Sequence, residues 1–262
     1  MKRVYRLGFW SETRDDSVRQ IQNLPNIIAN SCLTIAPLKS VDANDSIGKK
    51  IYSIILPALQ VNTETASLQI TGLQYAKIAE LTVNSKKSSQ AGLIDLDLYF
   101  ISYSGDIHKE INYFFLIDKN NEVAGYTHFS YLESSPHLVE AYSNLGFVTI
   151  DSIESYRKDY PLGTLLFQAV FEQSLNAGCE GRISLFSANK TGGFYFNLGL
   201  TALKESIFDA LYYEGQKEVD GGIMFLTDSA IDAWQERAKA QPLLKNTTLI
   251  EDNKVNTKVF QT

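Results

Sequence analysis

The chain has 262 residues, 44% of them hydrophobic and 21% charged, with 14 Tyr and 14 Phe; this is material for one large core or two modest ones, and it excludes wholesale disorder or a fibrous repeat. A formal charge of -6, with Lys and Arg scattered in pairs such as Lys49-Lys50 and Lys86-Lys87, argues against a nucleic-acid partner and suits amines or other cations. Cys32 and Cys179 lie far apart and form no CxxC, so neither a disulfide framework nor a zinc site can be read from them, and no metal is expected.

At the N-terminus, Lys2 and Arg3 precede "VYRLGFW", but Arg6 interrupts the apolar segment before it reaches signal-peptide length. "DDSVRQIQNLPNIIANS" and "DSIGKKIYSIILPALQ" follow Asp/Ser caps and predict helices that Pro25 and Pro57 stop or kink, with "PLKSVDANDS" a loop between them. The apolar run "YSIILPAL" at 52–59 is far too short to span a bilayer, so a soluble cytoplasmic protein with no membrane partner is expected. "VNTETASLQ" at 61–69 is the best linker candidate. The expected division is a helical N-terminal region or extension over 1–75, a main domain over 76–242 and a polar tail over 243–262.

From about residue 76 the texture changes to strands. "INYFFLID" and "EVAGYTHFSYLE" flank "KNN" as a hairpin, and "GFVTIDSI" at 146–153 predicts another strand. In "YRKDYPLGTLLFQAVF" the residues Leu162, Leu165, Leu166, Ala169 and Val170 fall on one helical face. Gly178 suits the helix end, and "RISLFSA" at 182–188 reads as a short buried strand. Strand, helix and strand in about 40 residues make a βαβ unit with two parallel strands. "TALKES" and "GGIMFLT" predict two more strands, and "SAIDAWQERAKA" a last helix stopped near Pro242.

The chemistry of the unit sits before its helix. Amides at a helix start lack internal partners and carry partial positive charge, a glycine lets an anion approach, and nearby Arg157 and Lys158 add countercharge. No GxxxxGK[S/T] occurs and no GxGxxG follows a strand, which leaves no basis for a P-loop or dinucleotide fold.

Residues 150–200 resemble the signature half of the GNAT superfamily of N-acyltransferases. Lys158-Asp159-Tyr160-Pro161-Leu162-Gly163 stands at the family's [Q/R]-x-x-G-x-[G/A] loop, Asn189 follows the second strand, and Tyr195-Phe196-Asn197-Leu198-Gly199-Leu200 stands at its Tyr-x-x-x-Gly-Phe motif. The departures are Lys158 for Gln or Arg, Pro161 for the first Gly, Leu200 for Phe, and a spacing from Asn189 to Tyr195 that is one residue short. Pro161 removes one backbone donor from the loop.

The resemblance implies a mixed α+β fold: a mostly antiparallel, twisted central sheet with one splayed parallel βαβ pair, plus the helical N-terminal region. It implies acetyl-CoA as cosubstrate, its pyrophosphate on Lys158, Asp159, Tyr160, Pro161, Leu162, Gly163 and Thr164, with Asn189 nearby and Ile153 and Ser155 along the pantetheine arm. It makes Tyr195 the general acid and leaves the acceptor as a small-molecule or peptide amine.

For the base, a regular strand from Phe147 to Ile153 would put Thr149 and Asp151 on one face and Ser152 and Glu154 on the other. Asp151 is the first candidate, Glu154 the second, and His128 on the preceding strand a third. A non-catalytic GNAT-like module that binds coenzyme A or a partner protein is the alternative, and a chance likeness of an unrelated α/β domain the third reading.

Overall fold

Long β-branched and aromatic runs broken by Asn, Asp and Gly turns give a chain dominated by strands. The computed structural model describes residues 15–22, 24, 27–32, 35–42, 44–58, 73–86, 92–103, 111–132, 146–187, 192–202, 222–244 and 248–251. In chain order the elements are α1 (Asp15–Gln22), β1 (Ile27–Cys32), β2 (Ile35–Ser40), α2 (Ser46–Ala58), β3 (Leu73–Asn84), β4 (Leu93–Tyr103), β5 (Ile111–Asp118) and β6 (Val123–Leu132). There follow β7 (Phe147–Ser155), α3 (Leu162–Asn176), β8 (Ile183–Ser187), α4 (Gly192–Asn197), β9 (Leu200–Ala202), β10 (Gly222–Leu226), α5 (Asp228–Ala240) and β11 (Thr248–Glu251).

The described strands form one mixed sheet in the order β11-β2-β3-β4-β5-β6-β7-β8-β10-β9, with β1 also pairing β3. Neighbours are antiparallel except β7 with β8 and β11 with β2. The expected mixed α/β fold with a mostly antiparallel sheet is therefore observed; β7-α3-β8 is its parallel βαβ unit, and β11 with β2 is a second parallel pair, not expected from the sequence.

In the N-terminal region the first helix stops before Pro25, as expected, but the rest departs from the expected helices. α1 ends at Gln22, and the following "IIANSC" pairs antiparallel with β3 from Ile27↔Val83 to Cys32↔Ala79. The first four residues of the expected loop "PLKSVDANDS", Pro37 to Ser40, belong to β2, which reaches β3 at Lys39↔Tyr75 and Ser40↔Gln74. Non-local pairing overrides the local helical signal here. The boundary at residue 75 thus runs through a shared sheet, and only α2 matches its expected helix closely. At the other end, Leu243 and Leu244 are buried and β11 pairs parallel with β2, so the chain after 242 is more than a polar tail.

Side chains alternate between two cores. The larger gathers Phe114, Phe129, Ile150, Leu185 and Met224 beneath α3 and α5, with Phe167, Phe171 and Trp234 among its largest members. The smaller, on the other face, packs Ile51 and Ile55 of α2 against Tyr99, Ile101, Tyr113 and Phe115. The sequence pattern gives α3 one apolar face, yet its polar Gln168, Glu172, Gln173 and Ser174 are buried too. The helix lies between the sheet and α5, so both sides are covered. It ends as expected at Gly178 (φ 75°), where Cys179 N donates to Ser174 O (2.8 Å) and Gly178 N to Leu175 O (3.1 Å), the paired bonds of a Schellman cap.

Candidate functional site

The parallel pair opens early. β7 and β8 are in register only at Val148↔Ile183, Thr149↔Ser184 and Ile150↔Leu185; beyond, β7 continues to Ser155 and β8 to Ser187 with no further pairing between them. At the same level β7 carries a bulge: His128 of β6 faces Ser152 and Phe129 faces Ile150, so Asp151 is the extra residue. A bulge bends a strand and re-aims its side chains where a ladder ends.

This corrects the regular alternation expected for β7. Ile150 belongs to the larger core and Ile153, three residues on, packs against it as well. Glu154 is thereby placed on the face of Thr149, and Asp151 turns toward His128. The Asp151 Oδ2 to His128 Nε2 distance is 3.5 Å, with side chains 34% and 19% exposed. His128 stacks on Tyr113, ring centroids 4.6 Å apart and planes 14° apart. Burial, with Tyr126 and Asp151 adding to it, pushes the Tyr113 hydroxyl up to about 12.

Further polar groups lie on the same face, beside the smaller core. Thr149 Oγ1 and Ser184 Oγ lie 3.0 Å apart across the parallel pair. Tyr113 and Ser130 are fully buried, and their hydroxyls have no hydrogen-bond partner among the described residues. Leaving such a group unpaired costs about 1–3 kcal/mol. Glu154 lies opposite Tyr126, and burial followed by the Tyr156 and Glu154 charges raises the Tyr126 hydroxyl above its ordinary range.

The loop after β7 is braced from two sides. Arg157 Nη2 donates to Asp118 Oδ2 (2.8 Å), while Asp118 Oδ1 accepts the amides of Asn120 and Glu122 at the hairpin turn. The Asp159 carbonyl accepts from Lys86 N (2.7 Å) and Ser85 Oγ (3.3 Å), which ties the loop to the end of β3. Arg157 is thus engaged by Asp118, and Lys158 is the exposed cation of the turn. Tyr160 donates its amide to Arg157 O (3.2 Å) and packs against the larger core.

Pro161 is buried and occupies the cap position of α3, where no side chain caps the helix and no acidic residue stands in the first turn. Its carbonyl accepts from Leu165 N (3.1 Å). Among the described residues nothing accepts from the amides of Leu162, Gly163 and Thr164, which makes this helix start electropositive. Leu162 belongs to the larger core, and Thr164 is buried. A Cβ on Gly163 would lie 3.1 Å from Phe194 Cζ and 3.9 Å from Ile153 Cγ2, so the loop, β7 and α4 meet at this glycine.

Of the other expected site residues, Ser155 ends β7 opposite Gly125, and Tyr195 is buried in the larger core with its ring 5.2 Å from that of Phe194. Asn189 lies outside the described residues. Asp151 and His128 are brought together; Tyr195 sits with the opposite core.

Sequence reasoning missed a buried polar network. Glu172 takes Leu243 N (2.8 Å) and Leu244 N (2.7 Å) on one carboxylate oxygen and Gln168 Nε2 (2.9 Å) on the other. Arg237 Nε donates to Gln168 Oε1 (3.0 Å). The signal available was Gln168 and Glu172 at i,i+4 within an apolar helix. No group of three or more His, Cys, Asp or Glu side chains gathers among the described residues, and no described helix is long and apolar enough to cross a membrane.

No protein-family model matches the chain, and no curated protein matches it. Among solved structures, the chain is similar to one described as a bacterial toxin, at 20% identity over 48% of this chain and 72% of that one, with a TM-score of 0.36. It is also similar to nourseothricin acetyltransferase, at 14% identity over 63% of this chain and 94% of that one, with a TM-score of 0.32.

Proposed function

We propose that the chain is an N-acyltransferase of the GNAT kind, moving an acetyl group from acetyl-CoA to a small-molecule or peptide amine. The observation that carries this reading is the coincidence, at one level of the sheet, of a parallel pair that opens after Ile150↔Leu185 and an uncapped helix start at Leu162–Thr164. The opening offers a slot for an extended arm, and the helix start offers amides for a pyrophosphate. Residues 76–242 carry both parts.

The residues fit a coenzyme A group. Leu162, Gly163 and Thr164 would hold phosphate oxygens through their backbone amides, Lys158 would add charge at the rim, and Ile153 would line the arm with Ser155. Pro161 leaves this cradle with one donor fewer than an ordinary residue would give it. When bound, acetyl-CoA supplies an activated thioester carbonyl. The chain's own part is to orient the acceptor, take a proton from its nitrogen and return one to the leaving sulfur. Tyr195 is the proposed acid, and the base is one of Asp151, Glu154 and His128.

Thiol release from acetyl-CoA with a panel of primary amines tests the activity, and Tyr195→Phe tests the acid. A general acid is worth roughly 100-fold or more, so a fall of that size at unchanged thermal stability is expected. An unchanged rate assigns Tyr195 to packing alone. Absence of thiol release with every amine, beside retained coenzyme A binding, would leave the non-catalytic module as the function.

A further inference from the structure

We infer that His128 is the proton acceptor of the site and that Asp151, placed beside it by the bulge in β7, is the positioning residue for its imidazole. This rests on the acyl-transfer reading and names the base within it. A regular β7 would carry Asp151 as one more ladder residue; the bulge instead frees it from a partner on β6 and sets its carboxylate 3.5 Å from His128 Nε2. The Tyr113 ring, stacked on the imidazole, fixes the ring plane from β5. His128 and Asp151 keep 19% and 34% of their side-chain surface open, while the His128 Nε2 atom itself is buried.

The unpartnered hydroxyls of Tyr113 and Ser130 are an independent sign that this face receives a polar group. Among the described residues, the titratable groups nearest the imidazole include Tyr113 from β5, Asp151 and, farther along, Glu154 from β7, and Tyr126 on its own strand. Glu154 lies opposite Tyr126 rather than His128, which separates it from the pair.

In the step itself, the acceptor nitrogen forms its bond to the acyl carbon as the carbon–sulfur bond breaks. The proton lost by nitrogen goes to the His128 imidazole. The sulfur leaves with the electron pair of its broken bond and takes a proton from Tyr195, the proposed acid; the proton held on His128 returns through solvent to the tyrosinate, so charge and atoms balance. An imidazole suits this work because its ordinary titration range spans neutral pH. The Asp151 carboxylate, 3.5 Å from Nε2, is placed to pair with the imidazole once it is protonated.

The first test needs no acceptor. The chain has three histidines, His108, His128 and His137, so a His128→Gln variant identifies the His128 imidazole signals in a proton NMR titration. His128 is expected to titrate between pH 5 and 9, and Asp151→Asn to weaken its proton affinity by about tenfold. A His128 signal that does not titrate in that range, or that ignores Asp151→Asn, overturns the pair.

The second test is the pH profile of kcat/KM for thiol release. Wild type is expected to lose activity on the acid side along the His128 titration, with His128→Gln falling roughly 100-fold and losing that limb. His128→Gln activity at wild-type level, with acetyl-CoA still raising the melting temperature, overturns the base alone. No rise in wild type overturns the acyl-transfer reading and the base with it.

Discussion

Gly199→Val is expected to destabilise the protein by about 4 kcal/mol, the sum of a strained backbone and an overfilled contact. Gly199 has φ 89°, and a Cβ there would fall 2.3 Å from Ala230 Cβ and 3.2 Å from Ile21 Cδ1. Its amide donates to Phe196 O (3.0 Å), and its carbonyl accepts from Thr227 N and Thr227 Oγ1 (3.3 Å each). Thr227 in turn caps α5 through Ala230 N. The glycine of the Tyr-x-x-x-Gly motif therefore joins α4 to the start of α5, a structural role sufficient to require it. The expected drop in melting temperature is about 10 °C for a chain of this size. A loss under about 1 kcal/mol in urea unfolding, well short of ordinary overpacking, would show that α5 is not seated on Gly199.

The second large effect lies at Glu172. Glu172→Ala is expected to cost about 4 kcal/mol, because it strands the buried amides of Leu243 and Leu244 and breaks the link through Gln168 to Arg237. Its pH dependence has a definite sign. Burial pushes the carboxyl from 4.5 up to about 7, against the bonds from Gln168, Leu244 and Leu243 and the Arg237 charge. Between about pH 4.5 and 7 the folded state binds more protons at this site than the unfolded chain, so its contribution to stability falls as pH rises.

At most about 3 kcal/mol separates the two ends of that window. Glu172→Gln carries no such group, so its stability relative to wild type is expected to improve from pH 5 to 8. Urea unfolding of both proteins at several pH values measures the difference; a difference independent of pH would mean that Glu172 is ionised throughout.

The legible part of the fold is where local pattern and tertiary placement agree. The hairpin of β5 and β6, the strand–helix–strand order of β7, α3 and β8, and α5 could all be read from apolar runs with Asn, Gly and Pro between them. β1 could not, since "IIANSC" follows a helical pattern and becomes a strand only by pairing with β3, about 50 residues later in the chain. The bulge at Asp151 was equally hidden. "FVTIDSIE" alternates well enough for a regular strand, and the extra residue exists only in relation to β6.

The candidate site was legible in the same uneven way. Gly163 and the helix start stood out because they depend on a few adjacent residues. The approach of His128 to Asp151 depends on strand register, and the engagement of Arg157 by Asp118 on a hairpin turn 39 residues away. Neither distance is encoded in spacing. Tyr195 reads as a motif residue from sequence and as a core residue from packing, and its hydroxyl chemistry is a matter for kinetics.

Acetyl-CoA titrated into wild type and Gly163→Val, followed by melting temperature, tests the central claim most directly. Binding to the native state at a hundredfold excess over Kd adds about 2.7 kcal/mol, a rise of roughly 5–10 °C. That rise is expected in wild type. It is expected to vanish in Gly163→Val, whose side chain would crowd Phe194 and cover the amides of α3, while the unliganded variant retains its strand and helix content. No rise in wild type at millimolar acetyl-CoA, or an equal rise in both proteins, would contradict the assignment of this helix start as the coenzyme site.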